Sequence, residues 1–447
     1  MDSVDNEMPD LMNLQNMPTN TIQRIDTDIL DPVVISDTNN GGFCRFTLIN
    51  KGYLNHASRV TLALKTGTNA FYPLNIGVDA LINRAVLKFN NRTVSEISDF
   101  GHLRAIKASF LSNQFNKERE QFVSGKAINH NLVYGTTAAN RHKASYMSID
   151  NGMVQNKNSN DLIKTRPELD INNGPIFSIL LSDLFPFFDK MKTFPLYACE
   201  DQINIELHFS DNVDRAIKSI AGDATFEIDT NEVKMVADYI FYPEEIMEQQ
   251  LKTFNGIKWN YQDYRLSKFS TTDASIAAGT RRNIGGAGLR VSKIFSILSE
   301  ANASTGGTLL SSYNGIYGEP AAELKINIYY NNKDLFTFDK SNPASIMFHL
   351  SEAGGSMVHL NKQEYSNSGT WFDDDKKYEA YVMKDNLAGK LFYTGFNLIK
   401  NERINEKGIE YVYSNNNIPG GTYTQRVYLE IARYAILENG HLTCYYY

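Results

Sequence analysis

Apolar and polar residues alternate along most of the chain from about residue 33 onward. The clearest examples are residues 203–209 and 324–330, where apolar side chains occupy every second position. Because successive side chains of a β-strand point to opposite faces of a sheet, this pattern predicts strands with one buried face. The two examples lie in different halves of the chain, so we predict such strands in both halves.

The same alternation predicts further strands, which are separated by turns rich in Asn, Gly and Ser. These strands are residues 44–48, 60–64, 85–89, 234–242, 257–269, 289–298, 378–383, 390–398 and 425–437. Two segments, 100–110 and 213–220, carry an apolar stripe with helical spacing. The predicted fold class is therefore all-β, with short strands arranged as sandwiches and short helices inserted between them.

The length of the chain predicts two domains. At 447 residues it exceeds the usual size of one hydrophobic core, so we expect two domains of about 200 residues each. The acidic segment that follows Pro243 comes directly after a predicted strand near mid-chain, which is typical of a connector. We predict an N-terminal arm, a first sandwich, a connector and a second sandwich, at residues 1–25, 26–243, 244–256 and 257–447.

The N-terminal segment differs in composition from the rest of the chain. It contains no basic residue before Arg24, and Pro9 and Pro18 interrupt any long periodicity. It also lacks the positively charged start and the apolar stretch of a signal peptide. We therefore expect an arm rather than a core element, and a protein that is not exported through a signal.

The composition agrees with a globular, β-rich protein. Aromatic residues make up 12% of the chain, with 25 Tyr and 25 Phe against 2 Trp, and they fit the half-buried surface of a sheet. The net charge is −7, and the basic residues are scattered along the chain. This charge pattern argues against strong binding of nucleic acid, and we predict no direct sequence-specific contact with it. The longest apolar stretch, residues 176–188, is too short to cross a bilayer.

Residue types that form catalytic or metal sites are present, but their spacing does not match such a site. The 8 His lack the spacing of a zinc helix, and Cys44, Cys199 and Cys444 lie far apart, which predicts folding in a reducing compartment. The three Asp at 373–375 are followed by two Lys, which is typical of a solvated loop rather than a calcium site. The glycines at 285–288 predict a turn, because the lysine of a phosphate-binding loop is missing. We predict no catalytic, cofactor-binding or metal-binding residues, no cofactor, and a protein that is not an enzyme.

One block of the sequence has a distinctive order of parts. It reads ILLSDLFPFF at residues 179–188 and FPLYAC at 194–199, and the alternating strand at 203–209 follows. A second block reads VADYIFYPEE at residues 236–245. These blocks resemble, in the same order, the Pro-aromatic loop and the end of the first domain in double-jelly-roll major capsid proteins. That family belongs to the adenovirus and nucleocytoplasmic large DNA virus lineage, and the chain looks most like its polinton-like virus and virophage members.

The resemblance implies a fold and a function. The fold would be two tandem eight-stranded jelly-roll sandwiches, and the chain would assemble into hexon-like, pseudo-hexagonal homotrimers that tile the icosahedral shell of a double-stranded DNA virus. Its partners would be copies of itself, penton proteins and minor capsid proteins, and an internal membrane is a further candidate. The protein would fold and assemble inside the infected host cell and reside in the virion capsid. His208 would be a solvated residue or a trimer contact.

Two other interpretations stay open from the residues alone. A viral attachment or carbohydrate-binding β-sandwich would also use Tyr, Asn and Trp in long polar loops such as residues 151–161, 301–318 and 364–377. A β-sandwich hydrolase would need two carboxylates brought together across strands, a geometry that spacing does not reveal.

Overall fold

The computed structural model describes residues 22–38, 41–65, 70–73, 76–108, 123–125, 146–148, 176–189, 193–210, 218–219, 227–253, 256–300, 313, 325–335, 343–354, 393–398, 402–416, 418 and 420–447. Within these ranges most residues form β-strands, and the helices are few and short. The predicted all-β class is therefore confirmed. The predicted strand at 378–383 and the loops at 151–161 and 364–377 lie outside the described residues.

The first half of the chain forms two main sheets. Their strands are β1 Arg24–Leu30, β2 Val34–Ile35, β3 Phe43–Thr47, β4 Tyr53–Asn55, β5 Arg59–Leu62, β8 Ile82–Phe89, β9 Arg92–Ser98, β11 Phe177–Leu180, β12 Thr193–Pro195, β13 Ile203–Phe209 and β16 Lys234–Phe241. One sheet has the order β11, β5, β16, β4 and β12, and β1 pairs along the other edge of β16. The other sheet has the order β2, β3, β13, β8 and β9. All these pairings are antiparallel, and we call the two sheets the first sandwich.

The second half also forms two main sheets, which we call the second sandwich. Their strands are β17 Ile257–Thr272, β18 Arg282–Gly285, β19 Val291–Glu300, β20 Lys325–Tyr330, β21 Lys333–Asp334, β22 Thr394–Asn397, β23 Ile409–Ser414, β24 Thr422–Glu438 and β25 His441–Tyr446. One sheet has the order β17, β24, β19 and β22, with β25 also paired to β24, and the other has the order β18, β23, β20 and β21. The strands predicted at 257–269, 324–330 and 425–437 are confirmed by β17, β20 and β24.

Eight strands of each half occupy corresponding positions. In the first sandwich β1, β16, β5 and β11 are neighbours in that order, and β3, β13, β8 and β9 are neighbours in the other sheet. In the second sandwich the corresponding orders are β17, β24, β19, β22 and β18, β23, β20, β21. The eight strands also follow each other along the chain in the same sequence. Strand β17 therefore corresponds to β1, and β24 corresponds to β16.

Short strands and helices lie between these elements. Two small sheets are formed by β7 Ala70–Pro73, β10 Tyr146–Ser148 and β14 Lys218–Ser219, and by β6 Leu64–Lys65 and β15 Glu227–Ile228. The helices are α1 Phe100–Ala108, α2 Leu181–Leu184, α3 Pro186–Asp189, α4 Glu244–Thr253, α5 Asp273–Ala277 and α6 Pro343–Gly354, with 3-10 turns at Gly77–Leu81 and Leu196–Ala198. None of the helices in the described ranges has the length and apolar character needed to cross a lipid bilayer.

The buried side chains follow the alternation seen in the sequence. In β13, the strand predicted at 203–209, Ile203, Ile205, Leu207 and Phe209 are completely buried, while Asn204 and His208 on the other face are half-buried. One apolar cluster fills the first sandwich and continues onto β17 and β24, and a second cluster fills the second sandwich. The two cores therefore meet through one sheet of the second sandwich.

Two expectations about local structure need correction, and one helix was not predicted. The helix predicted at 213–220 lies mostly outside the described residues, and Lys218–Ser219 form a strand because they pair with β7. Helix α6 was not predicted. Tyr313 falls in a segment predicted to be a surface loop, yet its ring is buried against His102, 4.5 Å away between centroids.

Candidate assembly surfaces

The Pro-aromatic block folds into the contact between the two sandwiches. Phe187 lies on α3, which begins at Pro186, a residue that suits the first position of a helix. The Phe187 ring is 5.7 Å from the Trp259 ring and 5.2 Å from the Tyr261 ring, centroid to centroid, and both partners lie on β17. Phe194 on β12 is 5.8 Å from Trp259. Edge-to-face pairs of this kind stabilise by about 0.5–1.5 kcal/mol each beyond the burial of their area, so the block fixes the second sandwich against the first.

A buried ion pair lies beside this aromatic cluster. Arg433 on β24 donates to Asp263 on β17 at 2.7 Å and to the Val94 carbonyl oxygen on β9 at 2.7 Å. The hydroxyl of Ser95 donates to the other oxygen of Asp263 at 2.9 Å. Burial raises the pKa of the Asp263 carboxyl, although Arg433 and Ser95 stabilise its ionised form. The pair therefore joins two strands of the second sandwich to a strand of the first.

A second charged group crosses the boundary at the start of α1. Asp99 accepts from Arg426 on β24 at 2.6 Å and lies 2.8 Å from the Lys268 ammonium on β17. Burial raises the pKa of Asp99, but the charges of His102, Arg426 and Lys268 outweigh it and lower this pKa to about 2. The Tyr428 hydroxyl donates to the Asp99 carbonyl oxygen at 2.8 Å. His102 lies within the first turn of α1, and its burial lowers its pKa well below the ordinary value.

The turn between β24 and β25 is also tied to the first sandwich. Asp201 accepts from the backbone N–H of Leu442 at 2.9 Å, and its other oxygen lies 2.9 Å from Nδ1 of His441. The Glu200 backbone N–H donates to the Gly440 carbonyl oxygen at 2.8 Å. The hydrogen bond to Asp201 raises the pKa of His441. These contacts and the two ion pairs show that polar groups, as well as aromatic rings, hold the halves together.

A cavity of about 430 Å³ lies beside these contacts, between α4 and the β24–β25 turn. Its lining includes Cys199, Glu200, Leu251, Lys252 and Gly440. The lining combines one acidic, one basic and several apolar or backbone groups, and this combination does not indicate one class of ligand.

The outward surface of the first sandwich carries a different kind of feature. On β1, Ile25 and Ile29 are 57% and 67% exposed, whereas the acidic residues Asp26 and Asp28 between them are turned toward the protein and are half-buried. Asp28 lies 2.8 Å from the Lys51 ammonium. Apolar side chains pointing outward and charged ones inward are the reverse of the usual edge strand of a solvated sheet.

His208 lies where the alternation places it, on the face of β13 shared with Asn204 and Glu206. Its ring stacks on Phe43 with 5.4 Å between centroids, and burial is the largest of the causes that lower its pKa. The side chain is 29% exposed, so it remains accessible to solvent or to another chain.

The residues considered for chemistry do not come together. Within the described ranges, the structure contains no group of three His, Cys, Asp or Glu that could hold a metal ion. The carboxylates at 373–375 and the neighbouring Trp371 lie outside those ranges. Gly285, Gly286 and Gly288 adopt positive φ angles, so the turn predicted at 285–288 is confirmed. The other tryptophan, Trp259, is buried between the sandwiches and is not placed for binding a sugar.

Of the residues that form these surfaces, the Pro-aromatic block was singled out from the sequence, whereas β1 and the ion pairs were not. Ile25 and Ile29 alternate with Asp26 and Asp28, a short period-two signal that could have extended the strand prediction to β1. The ion pairs had no such signal, because Asp99 and Arg426 are 327 positions apart.

The fold is that of viral major capsid proteins, as the resemblance of the blocks between residues 179 and 245 implies. The mavirus major capsid protein matches with a TM-score of 0.53 and 14% identity, over 100% of this chain and 95% of that one. A chain of the Sputnik virophage matches with a TM-score of 0.56 and 8% identity, over 96% and 90%. A chain of the PBCV-1 virus capsid matches with a TM-score of 0.54 and 11% identity, over 95% and 97%. No family model and no curated protein matches the sequence.

Proposed function

We propose that this protein is the major capsid protein of an icosahedral double-stranded DNA virus and that it acts by assembly rather than by catalysis. Three copies would form a pseudo-hexagonal capsomer, and capsomers would tile the shell. The protein would fold inside the infected host cell and remain in the virion capsid.

The observation that carries the proposal is the correspondence of the two sandwiches. Two units with the same strand order lie side by side in one chain, joined by buried aromatic rings and ion pairs. Such a pair supplies two of the six sectors of a hexagon, so three chains joined head to tail close a six-sectored ring. The shared fold of the mavirus and Sputnik proteins supports this interpretation.

We further propose that each sandwich is an eight-stranded jelly roll. The support is the set of eight corresponding strands, four in each sheet of each sandwich. Four additional strands of the main sheets lie outside this set: β2 pairs with β3, β4 with β16, β12 with β4, and β25 with β24. The proposed domains remain residues 1–25, 26–243, 244–256 and 257–447, and helix α4 occupies most of the connector.

The proposed partners follow from the geometry of a closed shell. A pseudo-hexagonal unit does not fit a fivefold vertex, so a penton protein would occupy that position, and minor capsid proteins would fill the gaps between capsomers. An internal membrane is a further proposed partner. No nucleic-acid contact is proposed, since the net charge of the chain is −7.

Light scattering and negative-stain averaging of the purified chain test the proposal. We expect a stable particle with three times the mass of one chain and a hexagonal outline. A particle that remains monomeric at high concentration would contradict the proposal. A glycan-binding screen run in parallel addresses the alternative, because a carbohydrate-binding protein should bind selectively as a monomer.

A further inference from the structure

The first and last strands of each sandwich form corresponding two-stranded ribbons. Strand β1 pairs with β16 from Arg24 opposite Phe241 to Leu30 opposite Met235. Strand β17 pairs with β24 from Ile257 opposite Leu437 onward. We call them the β1–β16 ribbon and the β17–β24 ribbon. The outer face of each ribbon is the one turned away from the core of its own sandwich.

The outer face of the β17–β24 ribbon is covered by the first sandwich of the same chain. Tyr428 lies on this face together with Tyr264, because Tyr428 is paired with Leu266 and alternate residues of a strand point the same way. Tyr264 and Tyr428 are 7% and 0% exposed. They belong to the apolar cluster that fills the first sandwich, and not to the cluster of the second. The function of this face is therefore to bind a neighbouring sandwich.

The corresponding outer face of the β1–β16 ribbon is open along β1, where Ile25 and Ile29 are 57% and 67% exposed, whereas Val236 and Ile240 on β16 are 9% and 6% exposed. Ile25 and Ile29 share this face with Val236 and Ile240 of β16, because directly paired residues of antiparallel strands point the same way. Val33, just beyond the end of β1, is 63% exposed. The result is an apolar surface at the position where the second sandwich has its buried contact.

The polar groups around this surface already have partners within the chain. Asp28 pairs with Lys51, and Asp238 accepts from the Thr27 hydroxyl at 2.7 Å and lies 3.7 Å from the Arg59 guanidinium. A chain that covers Ile25 and Ile29 would thus bury apolar area without isolating an unpaired charge, which is the usual obstacle to burying a charged surface.

We propose that the outer face of the β1–β16 ribbon binds the second sandwich of a second copy of this chain. The contact between copies would then repeat the contact within the chain, in which a β17–β24 ribbon binds a first sandwich. Contacts of this head-to-tail kind close into a ring when the rotation between units allows it. The inference rests on the proposed function and adds the surface through which the copies join.

Charge substitution on the open ribbon tests the inference. The variant Ile25→Asp/Ile29→Asp changes two exposed side chains, so the single chain should fold as before, with an unchanged circular dichroism spectrum. By light scattering we expect the trimer to be lost at concentrations where the wild type is fully trimeric. The matched control is Leu251→Asp on α4, at a site that is 50% exposed but lies off the ribbon, and it should remain trimeric.

The outcomes separate the inference from the proposed function. If the wild type does not form a trimer, the proposed function fails. If the wild type is trimeric and the double variant is equally trimeric, the inference alone is overturned.

Photo-crosslinking identifies what covers the ribbon. A photoreactive residue in place of Ile29 should give a product with the mass of two chains, attached to a peptide from residues 257–447. Attachment to residues 1–21 of the same chain would mean that the N-terminal segment covers the ribbon, and would overturn the inference. Attachment to residues 26–243 of another copy would overturn it as well.

Discussion

The β17–β24 ribbon and the β1–β16 ribbon occupy corresponding positions but have opposite surroundings. On the first, Trp259 and Tyr261 are buried against another sandwich, while on the second Ile25 and Ile29 are more than half exposed. The covered ribbon has large aromatic rings and buried ion pairs, whereas the open one has smaller apolar residues whose polar neighbours are paired within the chain. The difference suggests one permanent contact, made as the chain folds, and one contact made later between folded chains.

The largest expected effect on stability comes from removing a buried ring from the contact between the two sandwiches. Replacing Trp259 with Ala should lower the free energy of unfolding by about 3–5 kcal/mol, because a large buried ring is removed from a packed site. Replacing Ile29 with Ala in the isolated chain should change it by no more than about 0.5 kcal/mol, as expected for an exposed side chain. Urea unfolding at concentrations below the association midpoint compares the two. Equal losses would contradict the assignment of covered and open ribbons.

Breaking the buried ion pair should have an effect of similar or slightly smaller size. Replacing Arg433 with Met leaves the Asp263 carboxylate buried without its cation, which typically costs about 3–5 kcal/mol. The double variant Asp263→Asn/Arg433→Met should recover most of that loss, since neither buried charge remains. A double variant as unstable in urea as the single one would show that the pairing is not the source of the stability.

The acidic group at the start of α1 predicts a pH dependence. The pKa of Asp99 is lowered to about 2 in the folded chain, from an ordinary value of 3.8. A carboxyl whose pKa is lowered by folding stabilises the protein fully at pH values above its pKa in the unfolded chain. This stabilisation is lost as the pH falls through its pKa in the folded chain. The difference in the free energy of unfolding between the wild type and Asp99→Asn should therefore decrease by about 2 kcal/mol from pH 4 to pH 2. Chemical denaturation across this range measures it, and an advantage independent of pH would contradict the prediction.

The smallest expected effect concerns His441, which is 57% exposed. Its pKa is raised by the hydrogen bond to Asp201, so its stabilising contribution is complete at low pH and is lost as the pH rises through the folded pKa. The melting temperature of the wild type should exceed that of His441→Gln by more at pH 6 than at pH 8. A larger difference at pH 8 would show that the imidazolium does not stabilise the β24–β25 turn.

Sequence pattern predicted the strands with one buried face well. Strands β13, β16, β17 and β20 were found because their apolar residues face a core at every second position. Strand β1 was missed although Ile25 and Ile29 alternate with Asp26 and Asp28, because only these two apolar positions mark it. The alternation also does not reveal that the apolar residues of β1 face outward. Burial of Tyr313 depends on a tertiary contact with α1 that local sequence does not encode.

The residues of the candidate surfaces were harder to predict from the sequence than the fold was. The Pro-aromatic block was singled out by its resemblance to capsid proteins, and the structure adds that it packs on Trp259 and Tyr261 of β17. The partners of Asp99, Asp201 and Asp263 lie far along the chain. Pairs of this kind arise from the relative placement of the two sandwiches, which no periodicity describes.

A cryo-electron microscopy reconstruction of the purified oligomer tests the central claim most directly. The account predicts six sandwiches around the axis of the particle, each related to the next by a rotation of about 60°, as head-to-tail closure of three two-sandwich chains requires. The β1–β16 ribbon of each chain should lie against the second sandwich of its neighbour. A ring in which first sandwiches contact first sandwiches, or in which Ile25 and Ile29 remain open to solvent, would contradict it.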